Sequence, residues 1–220
     1  MLSTTLKRIR THSPRKGGLG HWDYWDTLID GLGKTETDDE PLAYARIVKI
    51  TSLDYALFAC RAEPKYDKHW RLFAVWCARQ VEHLMKDERS RAALCAAEQH
   101  VNEEVSDEEL EAAWNAAGSA SINAGCYCAA HAAAKSAEYA ASPGAGWAAE
   151  LAAEEAVDAM GYARAERWGP EGSGWVPRGR ALRAVVTTWG AKADARAAAR
   201  DAEQVAQALK FIEICNGNDL

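Results

Sequence analysis

The sequence predicts an all-α protein, with an N-terminal cluster of short helices over residues 1–104 and an alanine-rich antiparallel helical stack over residues 105–220. Three observations predict it. From Ala112 to Ala165 about two residues in five are alanine, the residue of highest helix propensity. Apolar residues elsewhere recur at spacings of three and four rather than two. Capping signals stand where those periodic segments begin. A hydrophobic content of 48% over 220 residues supplies a core and excludes a disordered chain.

Each element has its own signal. Leu6 and Ile9 give one turn of helix, stopped by Ser13-Pro14 and the glycines at 17, 18 and 20. Trp22, Trp25, Leu28, Ile29 and Leu32 share a helical stripe that Gly33 closes as a C-terminal cap. Asp38-Asp39-Glu40-Pro41 reads as an acidic first turn with proline near the helix start, so a helix is expected through Tyr44, Ile47 and Val48. Thr51-Ser52-Leu53-Asp54 opens the next, through Leu57 and Cys60 to Pro64. Between Lys68 and Lys86, Trp70, Phe73, Cys77, Val81 and Leu84 form the core stripe of a central helix, with Arg71, Arg79, Glu82 and Lys86 off it.

Asp87 caps a helix that turns Leu94, Ala97 and Val101 inward. Ser106 and Glu109 form a capping box, with Val105 and Leu110 at the staple positions. That helix is expected to run through Trp114 and Tyr127 toward Ala141, bent near Gly118 or Gly125 and broken by Ser142-Pro143-Gly144. A second alanine helix follows from Trp147 to Trp168. A Gly/Pro loop near residues 169–179 precedes a final helix from Arg180 to Ile214, with an interruption expected at Gly190. Alanine helices bury little apolar area per residue, so they need closely approaching neighbours. Trp114, Trp147, Trp168 and Trp189 are expected to fill the gaps between them.

Charge is unevenly spread. The net charge is −6, yet between Ala92 and Ala134 there is no Lys or Arg, and Glu98, Glu103, Glu104, Asp107, Glu108, Glu109 and Glu111 place the whole acidic excess there. That balance excludes a nonspecific nucleic-acid binder. The acidic stretch fits a basic partner surface, with Glu103, Glu104, Glu108 and Glu111 as candidate contacts; a solvated helix start is the plainer alternative. Trp175, Arg178, Arg180 and Arg183 in and after the Gly/Pro loop are the second candidate, because Trp and Arg are enriched at interface hot spots.

Little points to catalysis. Cys126-x-Cys128 with His131 is the one grouping suggestive of metal, but no second ligand pair follows at zinc-like spacing. His83, His100 and His131 read as structural histidines, and no phosphate-binding glycine loop is present. We expect no cofactor, no metal, no enzymatic activity and no direct nucleic-acid contact. The six cysteines are expected as buried, reduced thiols. The Ala112–Ala134 stretch has the length of a membrane span but is poor in large aliphatics, and the N-terminus lacks an apolar signal run, so a cytoplasmic location is expected.

Several segments resemble a family. They are Thr5-Leu6-Lys7-Arg8-Ile9-Arg10, residues 31–42 (GLGKTETDDEPL), residues 53–62 (LDYALFACRA), residues 71–84 (RLFAVWCARQVEHL) and residues 106–114 (SDEELEAAW). Over residues 4 to about 118 the chain resembles alanine-rich proteins of bacterial and phage genomes labelled as immunity proteins. The resemblance implies a helical fold, a cytoplasmic location and stoichiometric neutralisation of a toxin or defence protein. With the acidic stretch, it leads to an expected inhibitor of a bacterial toxin or defence nuclease, such as a CRISPR effector. The alternatives are a scaffold that assembles through its alanine faces and a metal-dependent enzyme using His83 or the Cys126–His131 region.

Overall fold

The computed structural model describes residues 1–12, 22–125, 128–166 and 181–217, with the backbone alone at 22–23, 165–166 and 181–196. Ten α-helices account for most of the described residues. The described sheet is a single antiparallel bridge between β1 (Ser3–Thr4) and β2 (Leu42–Ala43), in the register Ser3 with Ala43 and Thr4 with Leu42. The class is all-α.

The N-terminal helices start and stop where local chemistry directs. After α1 (Leu6–His12), α2 (Trp22–Leu32) ends at Gly33, whose φ of 62° is the left-handed conformation glycine adopts without strain. Helix α3 (Tyr44–Ile50) does not begin at Pro41. Leu42 and Ala43 first pair with β1, and Pro41 stands just before that strand, where its missing N–H costs no ladder hydrogen bond. The acids before Pro41 hold lysines instead: Lys34 bridges Asp38 and Glu40, and Lys7 meets Asp39. Ser52 caps α4 (Leu53–Cys60) by accepting from Tyr55 N at 3.2 Å.

Helix α5 (Asp67–Gln80) is the central helix of this half, with Trp70, Phe73 and Cys77 wholly buried. It ends earlier than its periodicity suggests, and His83 falls in a following 3-10 turn at Glu82–Leu84. Arg71 is buried rather than off the stripe. Its Nη1 donates to the carbonyls of Ala140 at 3.0 Å and Ser142 at 2.8 Å, so a charged side chain serves as the C-terminal cap of a helix some seventy residues away.

Beyond α5 follow α6 (Glu88–Val101), α7 (Asp107–Asn123), α8 (Ala129–Ala140), α9 (Ala145–Glu166) and α10 (Ala181–Asn216). The single long helix expected from Ser106 to Ala141 is two helices. Gly125, at φ 81°, ends the first, and the Cys128 thiol opens the second by accepting from His131 N at 3.4 Å. Helix α10 runs through Gly190 without a break.

Helix α9 packs against α4, α5, α8 and α10. Ala148, Ala149, Ala152 and Ala156 on α9 and Ala133, Ala137 and Ala140 on α8 are all fully buried, as close axes require. Ser136 Oγ ties the two by donating to Ala152 O at 2.7 Å. Near its start α9 runs so close to α4 that a Cβ on Gly146 would lie 3.1 Å from Arg61 Cα. The tryptophans fill fewer gaps than expected. Trp114 is half-buried and packs at the core edge, while Trp147 is 52% exposed and lies beneath the Arg61 guanidinium, 3.3 Å from its ring centroid. Trp168 and the Trp189 side chain lie outside the described residues.

The C-terminal turns of α10 return to the N-terminal helices. Phe211 stacks on Trp70 at 5.9 Å and meets Phe73 edge-on at 5.3 Å, and Tyr44 completes the group. Leu2 N donates to Cys215 O at 2.7 Å. One buried cluster therefore includes Leu6, Phe73, Ala133, Ala152 and Phe211. No described helix is long and apolar enough to cross a membrane.

Candidate functional site

The acidic stretch folds into the connection between α6 and α7, and both of its ends are held by backbone chemistry. At the end of α6, Glu104 N donates to Gln99 O at 2.9 Å and Glu103 N to His100 O at 3.0 Å, the paired bonds of a Schellman motif. The residue in its left-handed position is Glu103, at φ 62°, where glycine is usual. Among the described residues Glu103 is the one non-glycine at positive φ. Three residues on, Ser106 Oγ accepts from Glu109 N at 3.3 Å and Glu109 Oε2 accepts from Ser106 N at 2.8 Å, completing the capping box. Leu110 is buried beneath it.

This geometry sorts the seven acids into two groups. Three are engaged: Glu98 takes a forked pair from Arg79 at 2.8 and 2.6 Å, Asp107 Oδ1 lies 2.8 Å from His100 Nε2, and Glu109 closes the capping box. Arg79 reaches Glu98 from α5, so the stretch has a compensating cation that its own sequence window does not contain. The other four are the sequence-predicted candidates. Glu103, Glu104, Glu108 and Glu111 are exposed, and none has an ion-pair partner among the described residues. Glu103 and Glu104 sit on a turn held at both ends, and Glu108 and Glu111 lie in the N-terminal part of α7.

The second candidate set cannot be placed beside the first. Trp175, Arg178 and Arg180 lie outside the described residues. Arg183 falls on the α10 backbone, but its side chain also lies outside them.

The residues weighed for chemistry have other engagements. Cys128 is the N-cap of α8, and His131 Nδ1 lies 2.9 Å from Ser121 O, while Cys126 is outside the described residues. Among the described residues no three His, Cys, Asp or Glu side chains are grouped to hold a metal. His83 is exposed, at the rim of a cavity of about 420 Å³ floored by Met160 and the alanines of α10. Cys60, Cys77 and Cys215 are buried free thiols, and burial raises the pKa of each, which suppresses the reactive thiolate. Cys95 is exposed, contrary to expectation.

Sequence reasoning missed a second polar surface. Trp147, Glu150 and Glu154 follow one another at spacings of three and four on α9, a pattern visible in the sequence. Arg61 stacks on Trp147 and also pairs with Glu150. Beyond that pair, Asp54 on α4 and Gln207 on α10 border a groove with Glu154.

No known protein family, no curated protein and no solved structure matches this chain.

Proposed function

We propose that this protein is a non-enzymatic inhibitor that binds stoichiometrically to a basic protein surface, through Glu103 and Glu104 on the α6–α7 turn and Glu108 and Glu111 at the start of α7. The reading is supported chiefly by one observation: a glutamate occupies the left-handed Schellman position where glycine would be unstrained, close in sequence to the exposed Glu104, Glu108 and Glu111, which have no ion-pair partner among the described residues. Local strain retained at the tip of a charged turn is a feature of recognition sites. A cluster of exposed carboxylates is complementary to the channel of a nuclease or the surface of a cationic toxin. The partner class we propose is a bacterial toxin or a defence nuclease, a CRISPR effector included, and the setting is toxin immunity or phage anti-defence. The Arg178–Arg183 segment with Trp175 is a second anchor in this proposal.

Affinity capture from the native host tests it, with the parent and the Glu103→Gln, Glu104→Gln, Glu108→Gln, Glu111→Gln quadruple variant as baits. The parent is expected to retain one basic protein in near-equimolar amount, and the variant to lose it. Equal retention by both baits contradicts the proposal.

A second reading is favoured by one specific observation. Val205 and Leu209 on α10 are 62% and 66% exposed and stand one turn apart, an apolar face that suits self-association. Light scattering over a concentration series distinguishes the two, because the inhibitor reading predicts no growth in mass and the scaffold reading predicts open assembly.

A further inference from the structure

The cavity of about 420 Å³ beside His83 lies between the C-terminal turns of α9, the middle of α10 and the 3-10 turn that follows α5. Its size falls in the lower part of the range for small-molecule sites. Met160 and Ala163 of α9 and Ala198, Ala199 and Ala202 of α10 line it, so most of its wall is apolar. Alanines facing one another are too short to close the gap between two helices, which is why the space remains.

Glu203 is set into that apolar wall and is only 8% exposed. Its Oε1 accepts from Gln207 Nε2 at 3.3 Å, and among the described residues no cation pairs with its carboxylate. A buried carboxylate held by one neutral donor is costly, and burial raises its pKa accordingly. The same cavity is bordered by two groups of the opposite character. Arg164, on the last turn of α9, and His83 are both exposed, and neither is hydrogen-bonded or ion-paired among the described residues. Three separate elements thus bring a buried acid, a guanidinium and an imidazole to one apolar space.

We infer that this cavity binds an apolar α-amino acid as its zwitterion. The ammonium, with three donors and no acceptor, meets the Glu203 carboxylate. The carboxylate accepts from Arg164, whose planar fork suits it, and from an N–H of His83. The side chain packs against Met160 and the alanines of α10. A fatty acid would leave Glu203 without a cation, and a simple amine would leave Arg164 and His83 unused, so the zwitterion is the class that engages every polar group of the wall.

Calorimetric titration of the full chain with leucine tests the inference, and saturable one-site binding is expected. Leucinamide keeps the ammonium but lacks the carboxylate, N-acetylleucine keeps the carboxylate but lacks the ammonium, and glycine lacks the apolar side chain. Each should bind about tenfold or more weakly than leucine. Glu203→Gln removes the buried charge at nearly constant shape, and Arg164→Gln removes the rim cation from an exposed position. Each should weaken leucine binding by a similar factor, in proteins whose unfolding midpoints are measured alongside. Glu108→Gln, at the start of α7, should leave the titration unchanged. Absence of saturable leucine binding overturns the inference. So does any of the three analogues binding as tightly as leucine, an equal loss from Glu108→Gln, or parental affinity in the Glu203→Gln, Arg164→Gln double variant. None of the cavity residues belongs to the α6–α7 turn, so the outcome is independent of whether that turn binds a protein.

Discussion

Arg71 and Ser142 are joined by a hydrogen bond of 2.8 Å between a buried guanidinium and a main-chain carbonyl. The same nitrogen also holds Ala140 O, and the second terminal nitrogen reaches Pro143 O at 3.4 Å. These carbonyls lie at and just beyond the end of α8, where the helix leaves acceptors unsatisfied and its dipole favours a cation. Burial lowers the pKa of Arg71, with Asp67 and Asp107 opposing, yet an arginine remains charged under all ordinary conditions. Arg71→Met keeps most of the volume and removes the donors, so it should cost about 2–4 kcal/mol in urea denaturation. Arg71→Lys should recover only part of this, since an ammonium cannot reproduce the fork. A cost below about 0.5 kcal/mol for Arg71→Met would show that the carbonyls are satisfied without it.

Phe73 is fully buried between Trp76 and Phe211, while Ser106 is exposed and contributes a cap. Chemical denaturation should therefore separate them clearly. Phe73→Ala is expected to cost about 3–5 kcal/mol and Ser106→Ala about 1 kcal/mol. A near-neutral Phe73→Ala would overturn the assignment of α5 as a core helix.

Glu103 is held at φ 62°. Glycine adopts that conformation without a Cβ clash, so Glu103→Gly should raise stability by about 0.5–1 kcal/mol in the same assay. In the inhibitor reading the stabilised variant should also bind its partner less well. A variant both more stable and equally tight would show that the strained glutamate has no role in recognition.

Glu155 on α9 gives a pH signature. Burial first, then the neighbouring Asp158 and Glu154, push its carboxyl up to about 7. In the unfolded chain it ionises near 4.5. Between these values the native state holds a proton that the unfolded state has released. This group's contribution is therefore fully present below pH 4.5 and declines as pH rises toward 7. Glu155→Gln should remove that decline, so that its stability relative to the parent grows between pH 5 and 7 on thermal melts. A constant difference across that window would contradict the shift.

Much of the fold was legible because its signals are local. Ser52, Asp87 and the Ser106–Glu109 box each announce a helix within four residues, and Gly33 announces an end. The stripe from Trp70 through Phe73 to Cys77 is likewise a property of one helix. What escaped reading was non-local or chemically unusual. Arg71 has the pattern of a surface residue, and its carbonyl partners lie about seventy positions away. Arg79 neutralises Glu98 from another helix, outside any window drawn around the acidic stretch. Cys128 caps a helix although cysteine is not among the usual capping residues, so the sequence at the α7–α8 break has the pattern of a bend. The four candidate glutamates were found from charge alone. The groove between α4, α9 and α10 was not, because its lining comes from three separate helices.

The central claim is electrostatic recognition through the α6–α7 turn, and the salt dependence of association tests it most directly. The protein captured from the host is titrated against the parent and against the Glu103→Gln, Glu104→Gln, Glu108→Gln, Glu111→Gln variant by biolayer interferometry from low to high salt. Surface charges are screened over about 8 Å at physiological ionic strength, and charge complementarity acts mainly on the association rate. The account predicts that the parent's association rate falls steeply with salt, while the variant associates slowly at every salt concentration with its fold intact. Equal rates and equal salt dependence for the two proteins would contradict it.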